Sequence, residues 1–405
     1  MNDQEKISVI SQGLHQGSGI LRLVPTWVPR SFNAPGRRLR LDPRDLYPFG
    51  GNRGGICERW LGSTTKADNG PLTTPDEGLS YLDVDGARVQ LREAFALAGP
   101  DLLGQETLDA GGWVVLNKLL DYLFALPFHM HQNDTAAAVT GQLGKPEAYY
   151  FPPQYNQTPS QFPYTFFGLE PGTTQDEVIT CLKRWNEGDN RILSLSKAYQ
   201  LEVGTGWNVN PGVLHAPGAM VTYEPQRASD VFSMWQSLVA GVLYIDRAML
   251  VKDVPPEYHE DYDYLISLLD WETNVDPAFK RTNFTPPTPA RPVEEMESQG
   301  YGEHWVTYGG PYFSAKELTV QPGRTVTLAE AGAYGVLCVQ GYGTIGPHTI
   351  SAPTQIRFGA MTEDEFFVSH DVAQDGVVVT NRSASDPLVL LKYFNAGNPD
   401  MPGRD

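Results

Sequence analysis

Residues 126–134 read LPFHMHQND. His129 and His131 stand two apart, and on a β-strand, where side chains alternate between faces, that spacing sends both imidazoles to one side about 7 Å apart along the chain. Two imidazoles so placed can share a metal ion, whereas the same pair on an open strand is only two surface histidines, so the neighbouring segments decide. GKPEAYY (144–150) reads as a strand carrying Glu147, and NPGVLHAPG (210–218) places His215 just after a turn. His129, His131, Glu147 and His215 together form a set of three imidazoles and one carboxylate. That set suits one divalent ion, zinc first, with manganese, iron, nickel or cobalt as alternatives, and it leaves coordination positions for substrate oxygens.

Outward from this centre the chain has the texture of β-structure. Forty glycines and 32 prolines are spread throughout and cut the sequence into short runs, the pattern of a barrel or sandwich. WVVLNKLLDYLFALPF (113–128) is a buried strand or helix, strand near its end, that delivers the histidine pair. A helical insertion is expected at about 173–197, where Thr174 is a suitable N-cap and Val178, Leu182 and Trp185 repeat at helical spacing. Residues 231–251 are apolar and mixed enough for either helix or strand.

At 405 residues the chain exceeds one ordinary hydrophobic core, so two compact units are expected. The reading is a metal-binding unit over 1–275, a Pro-rich linker over 276–299 (containing TNFTPPTPARP), and a second β unit over 300–405 without a metal site. His348 and His370 in that second unit have no H-x-H partner and read as structural or surface residues.

Composition excludes several functions. With 41% apolar and 19% charged residues, no stretch reaches the roughly 18 consecutive apolar positions of a membrane span. A net charge of −18 disfavours nucleic acid and anionic membrane surfaces, leaving room only for a small local basic pocket. The N-terminus, MNDQEKISVI, is not a secretory signal, and the three cysteines (Cys57, Cys181, Cys338) are too scattered for a disulfide framework. A cytoplasmic location is expected; oligomeric state is not legible.

With these residues in hand, the sequence resembles the type I mannose-6-phosphate isomerases (phosphomannose isomerases), a cupin-superfamily group. CERWLGS, with Glu58 and Trp60, resembles the family's Ala-Glu-Leu-Trp-Met-Gly segment, and LNKLL, with Lys118, its lysine-bearing strand. LPFHMHQND, GKPEAYY and NPGVLHAPG resemble the three metal-ligand segments, while TYEPQRASD supplies counterparts at Glu224, Gln226, Ser229 and Asp230. The chain departs from the family at His129, where glutamine is usual, at Pro127, where a serine is usual, and near Met234, where an arginine is usual.

The resemblance implies a mainly β double cupin with a small helical insertion, acting as a metal-dependent aldose–ketose isomerase on a sugar or sugar phosphate. It implies Glu224 as catalytic base with Lys145 as proton partner, and Lys118, Glu58 and Gln226 as substrate-binding residues. Lys145 lies two residues before Glu147, which on a strand points both side chains into one cavity. Two other classes use the same centre: an iron-dependent cupin dioxygenase, and a sugar-binding or regulatory cupin without turnover.

Overall fold

The computed structural model describes residues 1–157 and 163–403. The chain is mainly β, and antiparallel sheets stack in layers. An outer four-stranded sheet (Thr325–Leu328, Tyr342–Ile345, His348–Ser351, Val377–Asn381) lies on a nine-stranded sheet. Val326, Ile345, Ile350 and Val379 from the first pack with Val336, Phe366, Val368 and Phe394 from the second. The opposite face of the nine-stranded sheet offers Leu21, Leu23, Phe367, Leu391 and Tyr393 to Val115, Leu119, Ala148, Tyr150 and Tyr223 of a seven-stranded sheet. A five-stranded sheet faces the far side of the seven-stranded one and is itself covered by helix.

Strict alternation along the strands of the seven-stranded sheet creates the functional face. In Val115–Leu120 the odd residues Val115 and Leu119 enter the core, so the even residues Leu116, Lys118 and Leu120 turn the other way. Ala148 and Tyr150 likewise go to the core and Glu147 and Tyr149 away from it; Tyr223 goes in and Glu224 out. In Gly55–Leu61, Leu61 joins the core beside Arg59, whose guanidinium meets Asp364 at 2.7 Å and Glu365 at 2.8 Å, while Glu58 and Trp60 face the other side.

The insertion helix is Gln175–Lys183, shorter than the expected 173–197 because Trp185–Glu187 turns as a separate single turn and Ser196–Gln200 is already a strand. Its start is set by a capping box: Thr174 accepts from the Glu177 backbone N–H while the Glu177 carboxylate accepts from Thr174, an arrangement contributing about 1 kcal/mol. Val178, Leu182 and Trp185 are buried against Phe128, Met130, Leu214 and Ala216, the outward residues of the five-stranded sheet. Residues 231–251 resolve into short strands at Ser233–Met234, Leu238–Val239 and Leu243–Tyr244 and a helical turn at Arg247–Met249.

The division of the chain differs from the linear one. Strand Ile20–Val24 pairs with Glu365–Val368 (Ile20 opposite Val368) and with Tyr81–Val84, so N-terminal segments complete the sheet otherwise built from residues after 287. At Pro25, which has no N–H to give a ladder, the chain leaves that sheet and enters the seven-stranded one as Thr26–Arg30. The stretch 276–299, expected as a linker, is built into both sheets: Phe284–Thr285 pairs with Gly206–Val209, and Thr288–Pro289 pairs with Tyr301–Thr307. Phe279 packs in a cluster with Phe167 and Trp207, which anchors this stretch to the first unit. The three cysteines are buried free thiols, and among the described residues no helix is long and apolar enough to cross a membrane.

Candidate metal centre

His129 and His215 come from the five-stranded sheet, His131 from the residue just past its strand His129–Met130, and the glutamate from the seven-stranded sheet facing it. His129 opens the short strand His129–Met130, and His215 opens His215–Ala216 directly opposite it. The turn before His215 requires Gly212, which has φ +78° and where a Cβ would lie 2.6 Å from the Asp270 backbone nitrogen. One atom from each of His129, His131, Glu147 and His215 falls within 4.8 Å of all the others, and all four residues are buried. The structure therefore brings together the whole predicted ligand set.

Each imidazole is oriented by a backbone carbonyl. His129 Nδ1 donates to Pro127 O (2.7 Å), His131 Nδ1 to Val231 O (2.7 Å) and His215 Nδ1 to Val213 O (2.8 Å). Those bonds put the proton on Nδ1 and leave the Nε2 lone pair of every ring aimed inward. Burial, followed by repulsion from His215 and His131, depresses the His129 pKa well below its usual value, and burial with Lys145 nearby brings His131 to about 4. The rings of His129 and His131 are thus neutral near pH 7, as metal ligation requires.

The donor atoms themselves call for a cation. His215 Nε2 lies 3.0 Å from Glu147 Oε1, yet neither atom has a proton to share, and His215 Nε2 is buried without a hydrogen-bond partner. His131 Nε2 faces Glu147 Oε2 at 3.0 Å in the same way. Lone pairs confronting one another in a dry site are repulsive unless positive charge stands among them. The Lys145 ammonium supplies some of it, 2.9 Å from Glu147 Oε2 and 3.0 Å from His131 Nε2. Tyr149 steadies Glu147 by donating to Oε1 at 2.6 Å. Tyr149→Phe is expected to lower metal affinity by about 10–100-fold, measured by competition with a chelator.

Beside this cluster a small cavity is lined by Arg30, Glu58, Lys118, Lys145, Glu224 and Asp230, with an apolar wall that includes Phe32, Leu126, Phe232 and Met234. Glu224 stands opposite Lys118 on adjacent strands, carboxylate to ammonium 3.8 Å. Burial and then the Glu147 charge push the Glu224 pKa up to about 8, against the opposing pull of Lys145 and Lys118. Burial and Lys145 lower that of Lys118. Glu58 accepts from the Arg30 guanidinium (2.8 and 3.3 Å), from Trp60 Nε1 at 2.6 Å and from the Tyr122 hydroxyl.

Lys145 lines the cavity and Glu147 does not, and the Lys145 ammonium lies against Glu147 and His131 of the cluster rather than against Glu224. Gln226 departs from expectation. Its amide nitrogen donates to Ser229 O at 2.6 Å and Arg227 O at 3.2 Å, which holds the chain after the strand, and it does not line the cavity. Arg30, Tyr122 and Phe32 are not among the residues singled out from sequence, since each is one residue in an ordinary run.

Fold and centre define a layered antiparallel β protein with a buried three-histidine, one-glutamate cluster that could hold a metal ion. Solved structures similar to this chain include mannose-6-phosphate isomerases. The enzyme from Bacillus subtilis superposes with a TM-score of 0.61 at 15% identity, covering 93% of this chain and 99% of that one. A variant of the phosphomannose isomerase from Salmonella typhimurium gives 0.61 at 13% identity, over 94% and 100%. A zinc-bound mannose 6-phosphate isomerase gives 0.60 at 13% identity, again over 94% and 100%. No protein-family model and no curated protein sequence matches the chain.

Proposed function

We propose that this protein is a metal-dependent aldose–ketose isomerase acting on a sugar or sugar phosphate, of the mannose-6-phosphate/fructose-6-phosphate type, with zinc as its metal. The observation that carries the reading is Glu224: a buried carboxyl with a pKa pushed up to about 8, in the same cavity as a buried cluster of metal ligands. A general base works best when its pKa lies near the working pH. The mannose-6-phosphate isomerases that share this fold support the same reaction class.

Isomerisation moves one proton between C1 and C2 and one between O1 and O2 of the open-chain sugar. The divalent ion held by His129, His131, Glu147 and His215 supplies Lewis acidity toward the substrate oxygens. Glu224 takes the C2 proton and returns it at C1, remaining on one face of the chain. Lys118, 3.8 Å from Glu224 and 3.9 Å from Asp230, holds a hydroxyl by donating to it and keeps Glu224 ionised when the base is needed. Lys145 is the nearest ammonium to the ligand cluster and serves the oxygen proton. Glu58 is held by three donors and accepts from a ring or chain hydroxyl. The apolar wall of Phe32, Leu126 and Phe232 limits water, which strengthens each of these interactions.

Incubating metal-loaded protein with mannose, fructose, lyxose and their 6-phosphates in D2O and following the sugars by NMR tests the reading. Aldose–ketose interconversion with deuterium entering at C2, equal with and without air, is the expected result. Oxygen-dependent product would replace isomerisation by dioxygenase chemistry, and binding with no conversion of any sugar would leave a sugar-binding protein.

A further inference from the structure

We infer that the Lys145 ammonium and the divalent ion compete for the same donor atoms, so that Lys145 is an internal counter-ion of the centre and sets how tightly metal is held. This rests on the ligand set of the isomerase reading but not on the reaction, and it is tested without turnover.

The backbone pins Lys145 beside the ligands. Its N–H donates to the carbonyl of Gln132, the residue after His131, at 3.1 Å. The preceding Gly144 lets the chain come that close, since a Cβ there would lie 2.5 Å from the Asp134 backbone nitrogen. The side chain is buried, and its ammonium donates to His131 Nε2 at 3.0 Å and pairs with Glu147 Oε2 at 2.9 Å. Those two acceptor atoms are themselves 3.0 Å apart, so one nitrogen bridges an imidazole and a carboxylate of the ligand set. Among the described residues it is the one lysine or arginine paired with Glu147.

His131 keeps its proton on Nδ1, where Val231 O accepts it, so Nε2 has a single lone pair to give. Shared with the Lys145 N–H, that lone pair is lost to a metal; given to a metal, it is lost to Lys145. Two cations drawn to the same donors also repel one another, and in a buried site that repulsion is weakly screened. The affinity of the centre is therefore a difference between two cations. The other half of the cluster has no such competitor: Glu147 Oε1 meets His215 Nε2 at 3.0 Å and accepts from the neutral Tyr149 hydroxyl at 2.6 Å.

Lys145 has somewhere to go when it is displaced, because it lines the cavity. Its charge is attracted there by Asp230, whose pKa burial raises but Arg30 and Lys118 bring well below the usual carboxylate range. With no cation of either kind, Glu147 would be a buried carboxylate facing unprotonated nitrogens, which is strongly unfavourable. The ammonium removes that penalty, and the same contact weakens metal binding.

The test is competition for zinc between the protein and a chromophoric chelator, with melting temperatures taken with and without zinc, for the unaltered protein, Lys145→Met and Lys145→Gln. Both substitutions remove the charge, and glutamine keeps a donor for Glu147. Each variant is expected to bind zinc at least about tenfold more tightly, since a like charge at close range in a buried site is removed. Without zinc the variants should melt lower than the unaltered protein, and with zinc they should match it. A lysine that only fills space would lower both melting temperatures alike. Equal or weaker zinc binding by a folded variant, an equal fall in melting temperature with and without zinc, or variants that do not fold even with zinc overturn the inference. Variants that fold with zinc but not without it support it, because the metal then does what the ammonium did. No zinc binding by the unaltered protein overturns the ligand assignment itself.

Discussion

Glu147→Gln protein is expected to purify without bound metal and with activity reduced at least about 10³-fold, since the ion's contribution to charge stabilisation is worth several kcal/mol. Glu147 is the sole anion of the ligand set and lies against His131 and His215 at 3.0 Å, Lys145 at 2.9 Å and Tyr149 at 2.6 Å. An amide of the same shape can donate to one imidazole Nε2 and so relieve in part the confrontation that otherwise requires a cation. The cost falls on Lys145, whose ammonium is buried and loses its carboxylate, a loss of about 3–5 kcal/mol when uncompensated. The variant should therefore melt lower, and Glu147→Gln with Lys145→Met should recover the melting temperature but not the metal. His131→Ala should also lose metal, with Glu147 still in place. Full metal occupancy by elemental analysis in both Glu147→Gln and His131→Ala would show that the ion is held elsewhere.

Glu224→Gln is expected to separate chemistry from metal binding. The ligand cluster is untouched, so metal content should be unchanged, while the rate falls by about 10²–10⁴-fold, the usual contribution of a positioned base. Deuterium exchange at the substrate C2 should cease with it. The pH dependence supplies a second readout. A base must be ionised to act, and the folded-state pKa of Glu224 is pushed above its ordinary value by burial and by Glu147. Activity should consequently fall as pH drops through that raised pKa, and this acid limb should be missing from the residual activity of the variant. The same shift affects stability in a defined direction: the folded protein holds the Glu224 proton more tightly than the unfolded chain, so this group's contribution is full below about pH 4.5 and is lost as pH rises toward 8. In Glu224→Gln that decline is removed. Normal C2 exchange in a folded, metal-loaded variant would move the base to another residue.

The legible part of this protein is the part governed by local periodicity. The H-x-H spacing put His129 and His131 on one face because a strand repeats every two residues, and the backbone obeyed it: Phe128 and Met130 go to the apolar layer and the two imidazoles to the cavity. The same period placed Lys145 with Glu147, although Lys145 precedes the strand itself. Thr174 and Glu177 fixed the start of the insertion helix through a three-residue reach. Gln226 shows the limit of transferring a role by position. Its alternation is right, but an amide close to unpaired carbonyls in the following turn bonds to those first.

What the sequence alone determined is the pairing of His129 with His131 and of Lys145 with Glu147, the mainly β class and the strand faces, since each depends on residues within a few positions of one another. The tertiary structure decided which strands share a sheet, and hence that Ile20–Val24 joins Glu365–Val368, more than 300 residues later, as well as Tyr81–Val84 of its own expected unit. It also decided which charged groups meet in the cavity. Arg30 and Asp230 are 200 residues apart, and neither has a reading as counter-ion until Glu58 and Lys118 are brought between them. Such pairings follow from the requirement that every buried charge find a partner, a condition imposed by the assembled interior. No local pattern encodes it, because the partners come from strands that meet only when the seven-stranded sheet closes over the histidines.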